Sequence, residues 1–162
     1  MKKALIVIDA QNDYLPDGKF PLWNIDETIK NIADVISDYK KNGNPIIFIQ
    51  HLSPPGAAFF EHDSDGCKLI PELTQQNPDS FIITKQHGNA FDETGLNDLL
   101  ISLHADTIEL CGMMTQNCVL FTAIAEEANK YKLSILSKCC TSVSPVIHAV
   151  ALKGLSRIVK VL

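Results

Sequence analysis

The sequence predicts an α/β fold of three layers, α/β/α, with a six-stranded parallel sheet between helices. Strand and helix patterns alternate from end to end, and several strand segments are unbroken apolar runs of the kind covered on both faces. No repeat, low-complexity tract or linker interrupts the alternation.

The first strand is read at 4–9 (Ala-Leu-Ile-Val-Ile-Asp). Its apolar run stops at Asp9 without a small-residue cleavage site, so a strand rather than a signal peptide is expected. A helix follows over about 25–42, with Asn24 or Asp26 as its cap and Gly43 as its stop. The second strand spans 45–50 (Pro-Ile-Ile-Phe-Ile-Gln). After it comes a long connection from His51 to about Leu69, carrying Ser53-Pro54-Pro55-Gly56 and His62-Asp63-Ser64-Asp65-Gly66. Loops of this length in compact domains often cover a site, so it is a candidate substrate cover. The third strand lies at 80–85 and precedes a helix near 92–104. The fourth strand, 106–111, leads into a helix over 115–131, where Val119, Leu120, Ala123, Ile124 and Ala128 recur at helical spacing. A fifth strand at 133–138, a helix at 145–155 and a sixth strand at 157–161 complete the pattern. Arg157 and Lys160 suit an edge strand. Right-handed crossovers follow from this order.

With 162 residues and 46% hydrophobic content, the chain fits one domain over 1–162, large enough to bury about 70% of its unfolded surface. A net charge of −5 with 14 scattered basic residues argues against nucleic-acid and anionic-membrane partners, which demand clustered Lys and Arg. No apolar run approaches the ~20 residues of a membrane span. The five cysteines (Cys67, Cys111, Cys118, Cys139, Cys140) are odd in number and lack paired C-x-x-C spacing, as expected of reduced thiols in a cytoplasmic protein.

Cys118 is the one cysteine at the start of a helix. With Thr115 as N-cap, it falls in the first turn, where unpaired N–H groups and the positive dipole end are expected to lower a thiol from ~8.5 into the range of about 3.5–7.5. By default a cysteine is a small buried hydrophobe, so position alone does not make a nucleophile. The strand ends add to it. In open α/β sheets ligands bind beyond the carboxyl ends of the strands. The first strand ends at Asp9, the third at Lys85, and the fourth leads to Cys118. Each alone reads as a cap or a solvated residue; together they supply a proton acceptor, a charge partner and a nucleophile at one rim. His51, His62, Asp63, Asp65 and Cys67 match no metal-ligand spacing and read as a solvated polar loop. Neither metal nor cofactor is expected. The first strand-to-helix turn has no G-x-G-x-x-G and the chain no P-loop. A non-catalytic, thiol-sensing α/β module remains the alternative from another class.

Asp9-Ala10-Gln11-Asn12-Asp13-Tyr14 resembles the D-x-Q-x-D-[FY] opening of the isochorismatase-like cysteine hydrolases, and Gly112 to Val119 resembles their G-x-x-T-x-x-C-V nucleophile segment. Lys85 stands where that family keeps its lysine. The resemblance covers essentially the whole chain. It implies a six-stranded parallel sheet and an Asp9-Lys85-Cys118 triad that cleaves the C–N bond of a small amide, carbamoyl or ureido substrate through an acyl-thioenzyme. It also implies an oxyanion hole from the N–H groups of Met114 and Cys118, a cis Met113–Met114 peptide, Tyr14 against the substrate, and a homo-oligomer. Nicotinamidases carry an Asp-x-His metal site after the second strand; here the chain reads Gln50-His51-Leu52, similar to a metal-free subgroup. Isochorismatases proper, which cleave a vinyl ether, lack the cysteine; an isochorismatase-type hydrolysis of a non-amide is the alternative within the family. Near the fifth strand the family's Asp-Ala pair is replaced by Ser137-Lys138 before Cys139-Cys140.

Overall fold

The structure, a computed structural model, describes residues 2–75 and 77–162. In chain order it comprises β1 (Lys2–Ile8), α1 (Ile25–Lys41), β2 (Ile46–His51), α2 (Pro71–Thr74), β3 (Phe81–Lys85), α3 (Leu96–Ser102), β4 (Ala105–Met113), α4 (Leu120–Ala123), β5 (Lys132–Thr141), α5 (Pro145–Leu155) and β6 (Lys160–Val161). A π-helical turn, Thr115–Val119, runs into α4, and 3-10 turns occupy Asn12–Tyr14 and Glu127–Lys130. The strands form one parallel sheet in the order β3-β2-β1-β4-β5-β6. The chain winds outward one way from β1 through β2 to β3, then returns to β4 and winds the other way. The reversal between β1 and β4 is the switch point at which such sheets bind ligands. No helix among the described residues is long and apolar enough to cross a membrane.

The central strands are apolar because both faces are covered: Ala4 to Ile8 and Ile46 to Ile49 are buried without a polar break. On α1, Ile25, Ile29, Ile32, Ile36 and Tyr39 recur every three or four residues and form its buried face. At the switch point β1 and β4 approach closely at Ile8 and Gly112. Gly112 has φ +111°, and a Cβ there would lie 2.0 Å from the Ile8 carbonyl oxygen.

Three expected elements are shorter than their sequence patterns. The helix near 92–104 begins only at Leu96, because Asn89 and Thr94 bond locally: Phe91 N–H donates to Asn89 Oδ1, and Thr94 Oγ1 donates to the Ala90 carbonyl. The helix expected over 115–131 is a π turn, a short α4 and a 3-10 turn, with Ala128 N–H closing an i→i+3 bond onto Ala125. The sixth strand keeps only Lys160 and Val161. Ile158 and Val159 N–H groups both turn back to the Leu155 carbonyl at the end of α5, which removes them from the sheet edge.

The long connection after β2 folds back over the segment that follows β1. Gln11 donates to the carbonyls of His51 (2.8 Å) and Cys67 (2.7 Å) and accepts the His51 N–H (2.7 Å). Asn12 and Asp13 N–H groups donate to Lys68 and Gly66 carbonyls, and Ile70 N–H donates to Ala10. The buried Asp13 carboxylate accepts from Phe60 N–H at 2.6 Å and Lys19 N–H at 3.2 Å. Gly66 lies so close beneath it that a Cβ would stand 2.1 Å from Asp13 Oδ1. Asp13→Ala is expected to leave the Phe60 N–H buried and unpaired, lowering stability by about 1–3 kcal/mol. Urea denaturation measures this, and an unchanged midpoint would refute it.

Candidate active site

Asp9, Lys85 and Cys118 converge although they arrive on three different strands. Asp9 directly follows β1 in the left-handed region (φ 49°), which turns the chain sharply at the rim. Its N–H donates to Ile49 and its carbonyl accepts from Gln11. Lys85 ends β3, two strand spacings or about 9–10 Å from β1. Its long side chain spans β2, and Nζ lies 2.9 Å from Asp9 Oδ2 with both side chains fully buried. Nζ also reaches Cys118 Sγ at 3.2 Å, the His87 carbonyl at 3.0 Å and His51 Nδ1 at 2.9 Å. Cys118 retains 4% exposure.

The turn that carries Cys118 is fastened differently from expectation. Met114, not Thr115, precedes the first helical residue, and no side chain caps it. The Thr115 hydroxyl is fully buried on the β5 side, where it donates to the Thr141 carbonyl at 2.9 Å. His148 Nδ1 lies 2.9 Å from the same oxygen; since the hydroxyl hydrogen is used on Thr141, the imidazole is the donor. Ser142 Oγ bonds Gln116 Oε1 at 2.7 Å. Met114 accepts from Asn117 N–H at 3.0 Å and Val119 N–H at 3.3 Å. The Met113–Met114 peptide is cis.

The expectation of an acidic thiol is overturned. Burial first, then the Asp9 carboxylate, push Cys118 up to about 12, against the opposing pull of Lys85. A helix start in water stabilises a thiolate, but here desolvation and a neighbouring carboxylate outweigh it. The resting sulfur is a thiol beside a carboxylate. Neither Asp9 carboxylate oxygen accepts an N–H or O–H hydrogen bond among the described residues, so the carboxylate is free to take a proton from sulfur. Carbamidomethylation of Cys118 is accordingly expected to rise about tenfold per pH unit from about pH 6 to about pH 9, with no plateau near neutrality. Peptide mapping of the adduct against pH checks this, and a plateau at or below pH 7 would contradict it.

Tyr14 is 1% exposed. Its ring packs edge-on against Phe60 at 4.7 Å and near Phe59 and Phe20 at 6.0 and 6.3 Å. Burial, then Asp9 and Cys118, raise its hydroxyl above the ordinary tyrosine value, which places that hydroxyl within electrostatic reach of both. Beside Lys85 a polar cleft of about 270 Å³ is lined by Leu52, Thr84, Gln86, His87, Asp92 and Glu93.

Of the polar loop residues, only His51 enters the site. His62 pairs with Asp63 at 2.9 Å on the surface, Asp65 pairs with Lys68, and Cys67 is buried. Asp9, His51 and Cys118 bring potential ligand atoms within 4.8 Å of one another, but the Lys85 ammonium already lies against all three, where an added cation would meet it. His51 was not among the strand-end residues singled out from sequence. It closes β2 in register with Lys85, one residue beyond the expected strand end at Gln50. The five cysteines are all free.

Residues 3–162 match the isochorismatase domain family. The isochorismatase family protein YddQ of Bacillus subtilis is 30% identical over 142 residues, 88% of this chain and 79% of that protein. The crystal structure of an isochorismatase-like hydrolase from Alkaliphilus metalliredigens superposes with a TM-score of 0.91 at 28% identity, covering 100% of this chain and 94% of that one. A pyrazinamidase/nicotinamidase structure from Streptococcus mutans superposes at 0.84 with 27% identity, covering 99% and 100%. The chain belongs to the isochorismatase family of hydrolases.

Proposed function

We propose that the chain is a cysteine-dependent amidohydrolase that cleaves the C–N bond of a small amide, carbamoyl or ureido substrate through an acyl-thioenzyme. The observation that carries this reading is the thiol of Cys118 beside the buried Asp9–Lys85 pair. In the first step Asp9 takes the proton from Cys118 as sulfur attacks the carbonyl carbon. The C–S bond forms and the carbonyl electrons move to oxygen. Backbone N–H groups of Met114 and Cys118 meet that oxyanion, worth about 2.7–4 kcal/mol per donor in comparable holes. Asp9 then returns the proton to the leaving nitrogen as the C–N bond breaks. Water, deprotonated by Asp9, attacks the thioester and releases the acid and the thiol. Lys85 holds Asp9 in place and tempers its charge. Tyr14 walls the site, and the polar lining of the adjoining cleft suits a small polar substrate.

The pyrazinamidase/nicotinamidase likeness supports amide chemistry as the reading within the family. Thiol sensing is disfavoured by the high, buried Cys118 thiol, because oxidation sensors are low-pKa and accessible. Self-association with a second copy belongs to the same reading, supported by the exposed apolar side chains Phe121, Ile124, Val146, Ile147 and Val150 on and beside α4 and α5; light scattering on the purified chain tests it, and a monomer at all concentrations would refute it. The hydrolase is tested by incubating the protein with a panel of small amides and ureides and reading intact mass. An acyl adduct on Cys118, with release of amine, is expected. Absence of both adduct and turnover across the panel would overturn the reading.

A further inference from the structure

The Lys85 ammonium directs its three protons to three acceptors and pairs by charge with the Asp9 carboxylate. Asp9 Oδ2 and His51 Nδ1 lie at 2.9 Å, the His87 carbonyl at 3.0 Å and Cys118 Sγ at 3.2 Å. An ammonium has no lone pair, so its contact with His51 has one polarity: Nδ1 is bare and accepts, and the single ring proton sits on Nε2. A protonated imidazole would set N–H against N–H at the same distance.

The backbone around His51 is fixed for this purpose. Gln11 takes its N–H and donates to its carbonyl, and the ring lies against Phe60 at 5.8 Å between centroids. Because His51 and Lys85 are register partners in adjacent parallel strands, the two side chains leave the sheet on the same side. Burial and the Lys85 charge lower the His51 pKa, against a smaller opposing pull from Asp9 and with His87 adding to the lowering. Both observations give a neutral ring.

We propose that His51 is a positioning residue: its Nε2-protonated imidazole takes one N–H of Lys85 and holds the ammonium still, with another N–H on the Cys118 sulfur and its charge beside Asp9 Oδ2. The proton transfer balances. When the thiol proton passes to Asp9, the carboxylate becomes neutral and the sulfur negative. The hydrogen bond that Lys85 already makes to sulfur then joins two charged groups and strengthens. His51 and the His87 carbonyl keep the other two protons throughout, so Lys85 need not move. The consequence for catalysis rests on the hydrolase reading; the tautomer and the ammonium contact do not.

Long-range imidazole spectra of the 15N-labelled protein at neutral pH read the tautomer directly, with His51 assigned by its loss in His51→Asn. An unprotonated Nδ1 and a protonated Nε2 are expected; an Nδ1–H tautomer or an imidazolium overturns the proposal. The second measurement is the rate of Cys118 carbamidomethylation, mapped by peptide. His51→Leu, which removes the acceptor, should slow it by about tenfold, one pKa unit of thiolate. His51→Asn, whose Oδ1 can replace Nδ1 as acceptor, should stay within about threefold of the parent. An unchanged leucine variant, or an asparagine variant as slow as leucine, overturns the proposal. If the leucine variant fails to fold, the tautomer and the asparagine rate still decide. These readouts need no substrate, so a failed amide panel with the expected His51 pattern would sink the hydrolase reading alone.

Discussion

Cys118→Ala is expected to abolish turnover of any amide the protein hydrolyses, with a loss on the order of 10⁶ in kcat, as when a nucleophile is removed from a cooperating set. The fold should survive, since the change removes one sulfur from a side chain at the rim of the core. Asp9→Asn should be almost as damaging. The thiol, pushed up to about 12 by burial and by Asp9, has almost no thiolate of its own at neutral pH. Attack therefore depends on a base at the moment of reaction. An amide in place of the Asp9 carboxylate keeps the shape and removes the acceptor. Because the two act as one unit, the double variant should be no slower than Cys118→Ala. Single-turnover assays with intact-mass detection separate the outcomes. Activity surviving Cys118→Ala would remove the acyl-thioenzyme, and an Asp9→Asn variant that still acylates at the parent rate would remove Asp9 as base.

The parts of the fold legible in the sequence were those set by burial. Ala4 to Ile8 and Ile46 to Ile49 are apolar because both faces of the sheet are covered, and that pattern depends on no partner's identity. Asp9, Lys85 and Cys118 were legible because chemistry in such sheets collects at strand ends. The misreadings fall where tertiary contacts overrule local pattern. Thr115 has the sequence context of a cap, yet the Thr141 carbonyl claims its hydroxyl. Cys118 has the helix position of an acidic thiol, yet a carboxylate eight positions from the N-terminal Met1 in sequence and a buried setting reverse the sign. Neither competitor is near in sequence, so periodicity and spacing carry no trace of them. His51 was hidden for another reason: it sits in a run of polar loop residues, and only the register of β2 against β3 separates it from them.

Gly112→Ala is expected to produce the largest loss of stability of any single substitution considered, and to take the active site with it. The added Cβ would stand 2.0 Å from the Ile8 oxygen and 2.6 Å from the Ile8 nitrogen, which are backbone atoms of a fully buried residue in a central strand. No side chain there can rotate away. At φ +111° the position is also one that L-residues rarely adopt. Steric overlap and backbone strain act together, so a destabilisation above about 4 kcal/mol is expected. Whatever relief the sheet finds must separate β1 from β4 or rotate their ends. Asp9 follows Ile8 by one residue and the Cys118 turn follows β4, so the same movement parts base from nucleophile. Thermal or urea unfolding gives the stability and Cys118 carbamidomethylation the site. A variant that keeps the parent's midpoint would show that the sheet yields at the switch point without difficulty. One that is destabilised but alkylates at the parent rate would show that the Asp9–Cys118 spacing is set elsewhere than at the Ile8–Gly112 contact.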